Sequence, residues 1–538
     1  MELTLADLLL TTDATDCRPI EGGFLLSAPR LTVDLPAAPQ RYLYSGWQSW
    51  SLTAWVETSR PVEVLRPRLL HPMQTDPRYV QDRRPNGSWY GAVELPQGKI
   101  VFLGALGLES HVCLEQQRLH GWYEQAPAQG ASQDWFLSAG EEEAIFSRYA
   151  ELLGERLGKV QAEHAPRVWC SWYSLYTEIS EPRLLKILND LDWLPFDVFQ
   201  IDDGWQRRIG DWEANEKFPS GMAWIANRIQ ETGRKAGLWL APLLVVPSSA
   251  IYRDHRDWLL HDENGRLVSA GYNWREPLFA LDTTHPAALE WLAGLMKKVR
   301  TWGYEYVKLD FLYAGALPGK RHADVPRETA YRQGLAVIRQ ALGDAYFLTC
   351  GAPILPSLGL CDAMRVGPDV ADHWASPRDD DLLRNFAAPG IRNALRTTLH
   401  RLWLAPLVRP DPDVTYFHAW PGGATAEQRD LLQAMAEICG FKATSDLPSW
   451  LTESERSALA AFLENKLPAR KTGRTRYAIG DQEVDFAFCV ALPPSPSGWT
   501  KMTGAVAGQL ANLPLVMNLF DALWKADLRK KLNATLGV

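Results

Sequence analysis

The chain has 538 residues, 46% of them hydrophobic and 22% charged, with a net charge of −8. This is too long for one ordinary domain, so two or three are expected, and the composition is that of a globular, enzyme-sized protein rather than a disordered one. An acidic balance with no basic run argues against nucleic acid as a partner. The longest apolar run near the end, Gly504 to Trp524, is broken by Gln509, Asn512, Pro514, Asn518 and Asp521 and makes a poor membrane span.

The first residues, Met-Glu-Leu-Thr-Leu-Ala-Asp, lack the basic region of a secretory signal. The seven cysteines (Cys17, Cys113, Cys170, Cys350, Cys361, Cys439 and Cys489) are scattered, with no Cys-x-x-Cys pair. That argues against a disulfide framework or a zinc site, and the expectation is a cytoplasmic protein. Residues 1–150 read as a β-sandwich: Phe24-Leu-Leu-Ser, Arg30-Leu-Thr-Val-Asp-Leu, Lys99-Ile-Val-Phe-Leu-Gly and Gln133-Asp-Trp-Phe-Leu are short, apolar and set between Gly and Pro turns. A helical linker is expected over 151–165, its helix running from Glu141 to Leu157.

From Pro166 the rhythm becomes strand, loop, helix. Strands are expected at Arg167–Trp172, Asp197–Asp202, Ala236–Leu243, Tyr306–Phe311, Tyr346–Cys350 and Ala363–Val366, with weaker ones near Leu404–Val408 and Phe441–Ala443. Helices are expected at Glu181–Leu191, Met222–Thr232, Ala287–Thr301 and Arg327–Leu342. Eight strands alternating with helices over 166–450 predict an α/β fold, a central (β/α)₈ TIM barrel. Residues 451–538 form a small, atypical C-terminal region, partly β and then helical.

Barrel chemistry sits where strands end, and these strand ends are polar, aromatic and poor in histidine. Lys308 and Asp310 share one face of a strand, because strand side chains alternate with period two. A cation beside Asp310 favours its ionised form, suited to attack on carbon. The bland alternative is a salt-bridged strand end. Asp369 follows Pro368, which fixes its backbone, and Gly367, which leaves room for a substrate. Arg365, four residues earlier, is suited to a neighbouring hydroxyl. Asp202 and Asp203 repel each other, and Gly204 lets the chain turn so that both accept hydrogen bonds from sugar hydroxyls. Many of the 23 tryptophans, Trp47 and Trp50 among them, stand beside Gly, Ser or Asp. Aromatic faces near carboxylates suit sugar rings, although most of the 23 are expected to be core.

Rival chemistries fit less well. A barrel metallohydrolase usually draws on histidines, yet no His-x-His occurs, and Lys308 and Arg365 would compete with a magnesium ion. Gly422-Gly423 offers little of a phosphate nest. Two carboxylates acting on a glycosidic bond fit best, with Asp310 as nucleophile and Asp369 as acid.

At these residues the chain resembles the α-galactosidases of glycoside hydrolase family 36. The resemblance rests on Trp169-Cys-Ser-Trp-Tyr, Val198-Phe-Gln-Ile-Asp-Asp, Gly237-Leu-Trp-Leu-Ala-Pro, Lys308-Leu-Asp-Phe-Leu-Tyr-Ala-Gly-Ala-Leu-Pro-Gly, Cys350-Gly-Ala-Pro and Met364-Arg-Val-Gly-Pro-Asp. Gly46-Trp-Gln-Ser-Trp in the β-rich domain adds to it. It implies a retaining exo-enzyme for terminal α-D-galactosides such as melibiose and the raffinose series. Asp310 then forms the covalent galactosyl-enzyme and Asp369 serves as acid and base. By the same resemblance Asp202 and Asp203 hold O4 and O6, Lys308 meets the neighbouring ring hydroxyls, and Arg365 lies near O2. Trp239, Trp169 and Tyr173 are pocket walls, Cys350 and Gly351 lie under the ring, and Trp47 reaches in from the sandwich. No cofactor and no metal are implied, and the partner is a small oligosaccharide, with no membrane or nucleic acid. The family's Asn-Asp-Pro-Asp after the seventh strand is replaced here by Arg409-Pro-Asp-Pro-Asp413. An α-N-acetylgalactosaminidase, an α-galactosyl transferase of the same mechanism, and an impaired sugar-binding protein remain the alternatives.

Overall fold

The computed structural model of the chain describes residues 1–96, 98–125, 133–160, 164–420, 423–519 and 522. Gly422 of the phosphate-nest candidate and most of the tail beyond Leu519 lie outside the described residues. Two antiparallel sheets form the N-terminal part. One pairs Glu2–Leu5, Leu8–Thr12, Arg30–Asp34, Arg118–Tyr123, Ser110–Glu115 and Asn86–Ser88. The other pairs Asp16–Ile20, Gly23–Ser27, Asp134–Gly140, Ile100–Ala105, Tyr90–Glu94, Arg41–Tyr44 and Ala54–Glu57.

The middle of the second sheet is buried on both faces, which is why Ile100–Ala105 contains no polar side chain. Tyr42, Val93, Val101, Leu103, Trp135 and Leu137 pack toward the first sheet. Leu43, Ala92, Phe102 and Phe136 point the other way, with period two, against the helix Glu142–Leu157. That helix begins on the sandwich side of residue 150, and only the first part of 151–165, up to Leu157, is helical.

The catalytic-size body is a (β/α)₈ barrel. Its parallel strands are β1 (Val168–Cys170), β2 (Val198–Ile201), β3 (Lys235–Leu240), β4 (Tyr304–Leu309), β5 (Tyr346–Thr349), β6 (Ala363–Arg365), β7 (Arg409–Asp411) and β8 (Ala443–Thr444). β8 pairs with β1, and a parallel bridge between Thr415 and Thr444 joins the end of the β7 segment to β8. The helices Glu181–Asp190, Met222–Gln230, Pro286–Thr301 and Arg327–Leu342 alternate with the first five strands. The seventh strand corrects the sequence reading. Leu404–Val408 is not a strand: Leu402–Leu404 is a 3₁₀ turn, and β7 starts at Arg409. Apolar content misled here because Leu404 and Leu407 fill the core, while β7 delivers Asp411 to an ion pair inside the barrel.

Two arginines join sandwich and barrel. Arg401 is buried, and its guanidinium donates to the carbonyls of Gly46, Gln48, Ser49 and Ser51 at 2.7–3.1 Å, and to that of Val366 at 2.8 Å. The loop it holds also pairs with the segment after β5: the Ser49 N–H donates to the Ala352 carbonyl and the Ile354 N–H to the Trp47 carbonyl. Arg327 is the second. It pairs with Asp76 at 2.7 Å and Glu124 at 2.8 Å, all three side chains nearly closed to solvent. Beside it, helix Arg327–Leu342 starts after Pro326, which has no side-chain acceptor for the free N–H groups of a helix start. Glu109 of the sandwich takes that role, accepting from the N–H of Glu328 and Thr329 at 2.7 and 2.8 Å.

Removing Arg327 leaves buried Asp76 without its cation and Glu124 with Arg78 alone at 3.4 Å, and losing one partner of a buried ion pair costs about 3–5 kcal/mol. Arg327→Met is therefore expected to lower the free energy of unfolding extrapolated from urea titration by an amount of that order, with a lower midpoint. An unchanged midpoint would mean that the latch is not holding the two bodies together.

Candidate active site

A cavity of about 350 Å³ opens at the carboxyl ends of the barrel strands. Asp202, Asp203, Trp239, Lys308, Asp310 and Asp369 line it together. Asp310 follows β4 at a sharp turn, with Phe311 in the left-handed region (φ 54°). Each Asp310 oxygen accepts one N–H: Oδ2 from the Trp239 indole at 3.0 Å and Oδ1 from the Phe311 backbone at 2.8 Å. Such an arrangement fits an ionised carboxylate, which offers only acceptors.

Lys308 lies in the same wall, but its ion pair is with Asp202, Nζ to Oδ2 at 3.0 Å. This corrects the sequence reading, in which Lys308 answers Asp310. Burial works against the ammonium charge, but the Asp202 carboxylate outweighs it and holds the Lys308 pKa above its ordinary value. Asp202 is further fixed by the Gln200 amide at 2.6 Å, and its backbone N–H donates to Ser171 Oγ at 2.9 Å. Asp203 accepts from the Gln206 amide at 2.6 Å and the Trp274 indole at 2.8 Å. Burial raises its pKa, with those two donors and Lys217 pulling it down and Asp202 pushing it up.

Asp369 has a different environment. Its side chain keeps 34% of its surface open, and Arg365 pairs with it at 3.2 Å. Arg365 also binds Asp411 at 3.1 Å and Asp413 at 2.9 Å, so one guanidinium answers three carboxylates. Desolvation in the cleft and the charges of Asp413 and Asp310 push the Asp369 carboxyl up to about 7, against the pull of Arg365 and Lys308. Asp413 also fixes this loop, because its Oδ2 accepts the Val370 N–H at 2.9 Å as well as the Tyr173 hydroxyl.

Other residues picked out from sequence sit behind the cavity surface. Trp169 stacks on Phe199 and donates to the Asp446 carbonyl. Tyr173 and Arg365 lie behind Asp369 on Asp413. Cys350 is fully buried. Gly351, at φ +52°, allows the Trp50 ring to close in: a Cβ there would sit 2.8 Å from it. Gly367 makes room for the helix Ile391–Leu399 rather than for a substrate, since a Cβ would lie 2.7 Å from Thr398 Oγ1 and 3.0 Å from the Ala394 carbonyl. Trp47 is buried on Glu328, its indole donating at 3.2 Å, and the sandwich tryptophan that reaches the cavity is Trp50.

Several lining residues were not singled out for the pocket: Trp50, Trp172, Tyr176, Trp274 and Phe311. Trp50 packs edge-on against Phe311, which also meets Trp274, each at 5.0 Å between centroids. Trp274 comes from a hairpin inserted after β3 (Ser269–Asn273 and Glu276–Ala280), so no barrel periodicity pointed to it. Asp411 and Asp413 stood in plain view in a Pro-Asp-Pro-Asp run after a strand. Their signal was two carboxylates needing a cation. Among the described residues no group of three or more His, Cys, Asp or Glu is placed to hold a metal ion, and no helix is long and apolar enough to cross a membrane.

A family model described as Melibiase matches residues 138–344. The α-galactosidase AgaA of Geobacillus stearothermophilus is 31% identical over 208 residues, 36% of this chain and 27% of that protein. α-Galactosidase 1 of Pediococcus pentosaceus is 27% identical over 223 residues, 38% and 29%. These matches span under a third of the length of either relative. The solved structure of TtGalA, an α-galactosidase from Thermus thermophilus in complex with p-nitrophenyl α-D-galactopyranoside, aligns with a TM-score of 0.86 and 44% identity. The alignment covers 91% of this chain and 99% of that one. The structure of the family 36 α-galactosidase AgaA from Geobacillus stearothermophilus aligns at a TM-score of 0.55 and 17% identity over 85% of this chain and 68% of that one, a likeness of fold.

The raised pKa of Asp369 has a consequence for stability. Between the unfolded value near 3.8 and about 7, the folded chain holds a proton that the unfolded chain has lost, so this group's contribution is full at low pH and lost as pH rises through 7. Asp369→Asn mimics the protonated form. Its stability relative to the parent should rise between pH 4 and pH 7 and level off above, by about 1 kcal/mol once screening at the open side is allowed for. A difference flat in pH would contradict the raised value.

Proposed function

Because the chain belongs to the α-galactosidases of glycoside hydrolase family 36, we propose that it is a retaining exo-enzyme that removes terminal α-D-galactose from small oligosaccharides. One observation carries this reading: a single cavity holds two carboxylates in different surroundings. Asp310 accepts N–H donors on both oxygens, and Asp369 is pushed up to about 7 beside it. A carboxylate held by N–H donors beside one raised by its surroundings suits a nucleophile and an acid.

In the first step an Asp310 oxygen attacks the anomeric carbon as the bond to the leaving oxygen breaks, and the Asp369 proton passes to that oxygen. In the second, Asp369, now a carboxylate, takes a proton from water. The water oxygen bonds to the anomeric carbon, and the Asp310 ester bond breaks. Asp202, Asp203 and Lys308, with spare acceptor and donor positions at the cavity floor, bind the sugar hydroxyls, and Trp239, Trp50 and Trp274 supply its aromatic walls. Arg365 acts behind Asp369: its charge lowers that carboxyl against the push of burial and Asp413. The seven cysteines, all free, support a cytoplasmic location.

Asp310→Asn is expected to lose turnover of all α-galactosides by about a thousandfold or more while still binding galactose. Asp369→Asn should still release a phenolate leaving group, which needs no proton, and should lose natural substrates. For the parent, kcat/KM should fall on the alkaline side near pH 7, as Asp369 gives up the proton the first step requires, and phenolate release by Asp369→Asn should lack this limb. Full activity of both variants on a natural oligosaccharide would refute the assignment.

A further inference from the structure

The cavity has one wall that the barrel and the sandwich do not supply. Met517 and Asn518, from the segment after the helix Gly498–Leu510, line it together with Tyr272. The Tyr272 hydroxyl donates to Asn518 Oδ1 at 2.9 Å. The segment is anchored before it arrives. The helix lies on the Arg66 side chain through Gly504 and Gly508, where added Cβ atoms would sit 2.9 Å from the Leu382 carbonyl and 2.7 Å from Arg66 Cβ, so a larger residue would push the helix off this seat. Asn512 then accepts the Arg68 N–H at 2.6 Å. Arg66 in turn donates to the Leu382 carbonyl at 2.7 Å, on the loop that follows Asp369 and adds Ala387 and Pro389 to the cavity.

The placement indicates what this wall would touch. Asp202, Asp203, Lys308 and Asp310 come from strand ends and form the cavity floor, where the terminal sugar binds. Whatever that sugar is attached to must leave along the Asp369 side toward the mouth. Met517 and Asn518 are not on barrel strands; they stand at that mouth, Asn518 held by Tyr272, and the helix that leads to them is tied through Arg66 to the loop after Asp369. We propose that Met517 and Asn518 form part of the leaving-group subsite and restrict the enzyme to galactosides with a short aglycone. The thioether offers an apolar face to one sugar or aryl ring, the amide offers hydrogen bonds, and the pair closes the path along which a longer chain would run. This rests on the α-galactosidase reading above.

The test compares kcat/KM for an α-galactosyl disaccharide with that for a linear α-galactoside tetrasaccharide, with an aryl α-galactoside as a control for basic function. Met517→Ala/Asn518→Ala in the full chain is expected to raise the tetrasaccharide-to-disaccharide ratio by about fivefold or more, as removing side-chain bulk from a specificity pocket does. Met517→Trp adds bulk instead of removing it and should lower the ratio; it decides the matter if the alanine pair fails to fold. Ratios within about twofold of the parent for the folded variants would overturn this inference while leaving the α-galactosidase reading intact. A parent chain that leaves the aryl α-galactoside uncleaved would overturn both.

Discussion

The structure turns on a shortage of positive charge at the barrel mouth. Asp202, Asp203, Asp310, Asp369, Asp411 and Asp413 converge there, with Lys308 and Arg365 to answer them. Lys308 is committed to Asp202, and Arg365 is divided among three carboxylates. Asp310 is served instead by neutral N–H donors, and Asp369 is left with a share of one guanidinium and two repelling neighbours. Identical side chains thus meet different settings: Asp310 rests on two N–H donors, whereas desolvation and the charges of Asp413 and Asp310 raise Asp369 despite its share of Arg365.

That crowding is tolerable only inside a rigid frame, and the sandwich provides part of it. Arg401 spends its donors on backbone carbonyls, four of them in the Gly46–Ser51 loop, and so carries Trp50 to the cavity without a partner charge. Its burial without a carboxylate pulls its pKa down to about 10. Glu328 accepts the indoles of Trp47 and Trp89 and the Glu109 N–H, while Glu109 accepts the Glu328 N–H in return. The reciprocal exchange joins the start of a barrel helix to the sandwich. Burial raises Glu328 to about 8, with Arg327 lowering it and Glu109 and Glu124 opposing that pull.

Much of this could be read from the sequence because barrel strands and carboxylates leave local signals. Tyr306-Val-Lys-Leu-Asp-Phe announces a strand and its chemistry together, and the helix Arg327–Leu342 begins and ends where its pattern does. What stayed hidden is relational. Nothing local says that Lys308 pairs with Asp202 across two strands, or that Gly367 faces a helix. Trp47 and Trp50 look alike in sequence, and only the three-dimensional path of their loop sends one to Glu328 and the other to the cavity. β7 was misplaced because its inner side chain is charged, which inverts the usual apolar signal. The C-terminal wall, Met517 and Asn518, lies in a helical tail whose pattern carried no chemistry.

The central claim is that Asp310 attacks carbon and Asp369 moves the proton, in two displacements. Proton NMR during the first minutes of hydrolysis of an aryl α-galactoside tests it most directly, because the anomeric signals appear before mutarotation mixes them. The account predicts α-galactose first, the outcome of two inversions. β-Galactose first would mean that water, not Asp310, attacks the anomeric carbon.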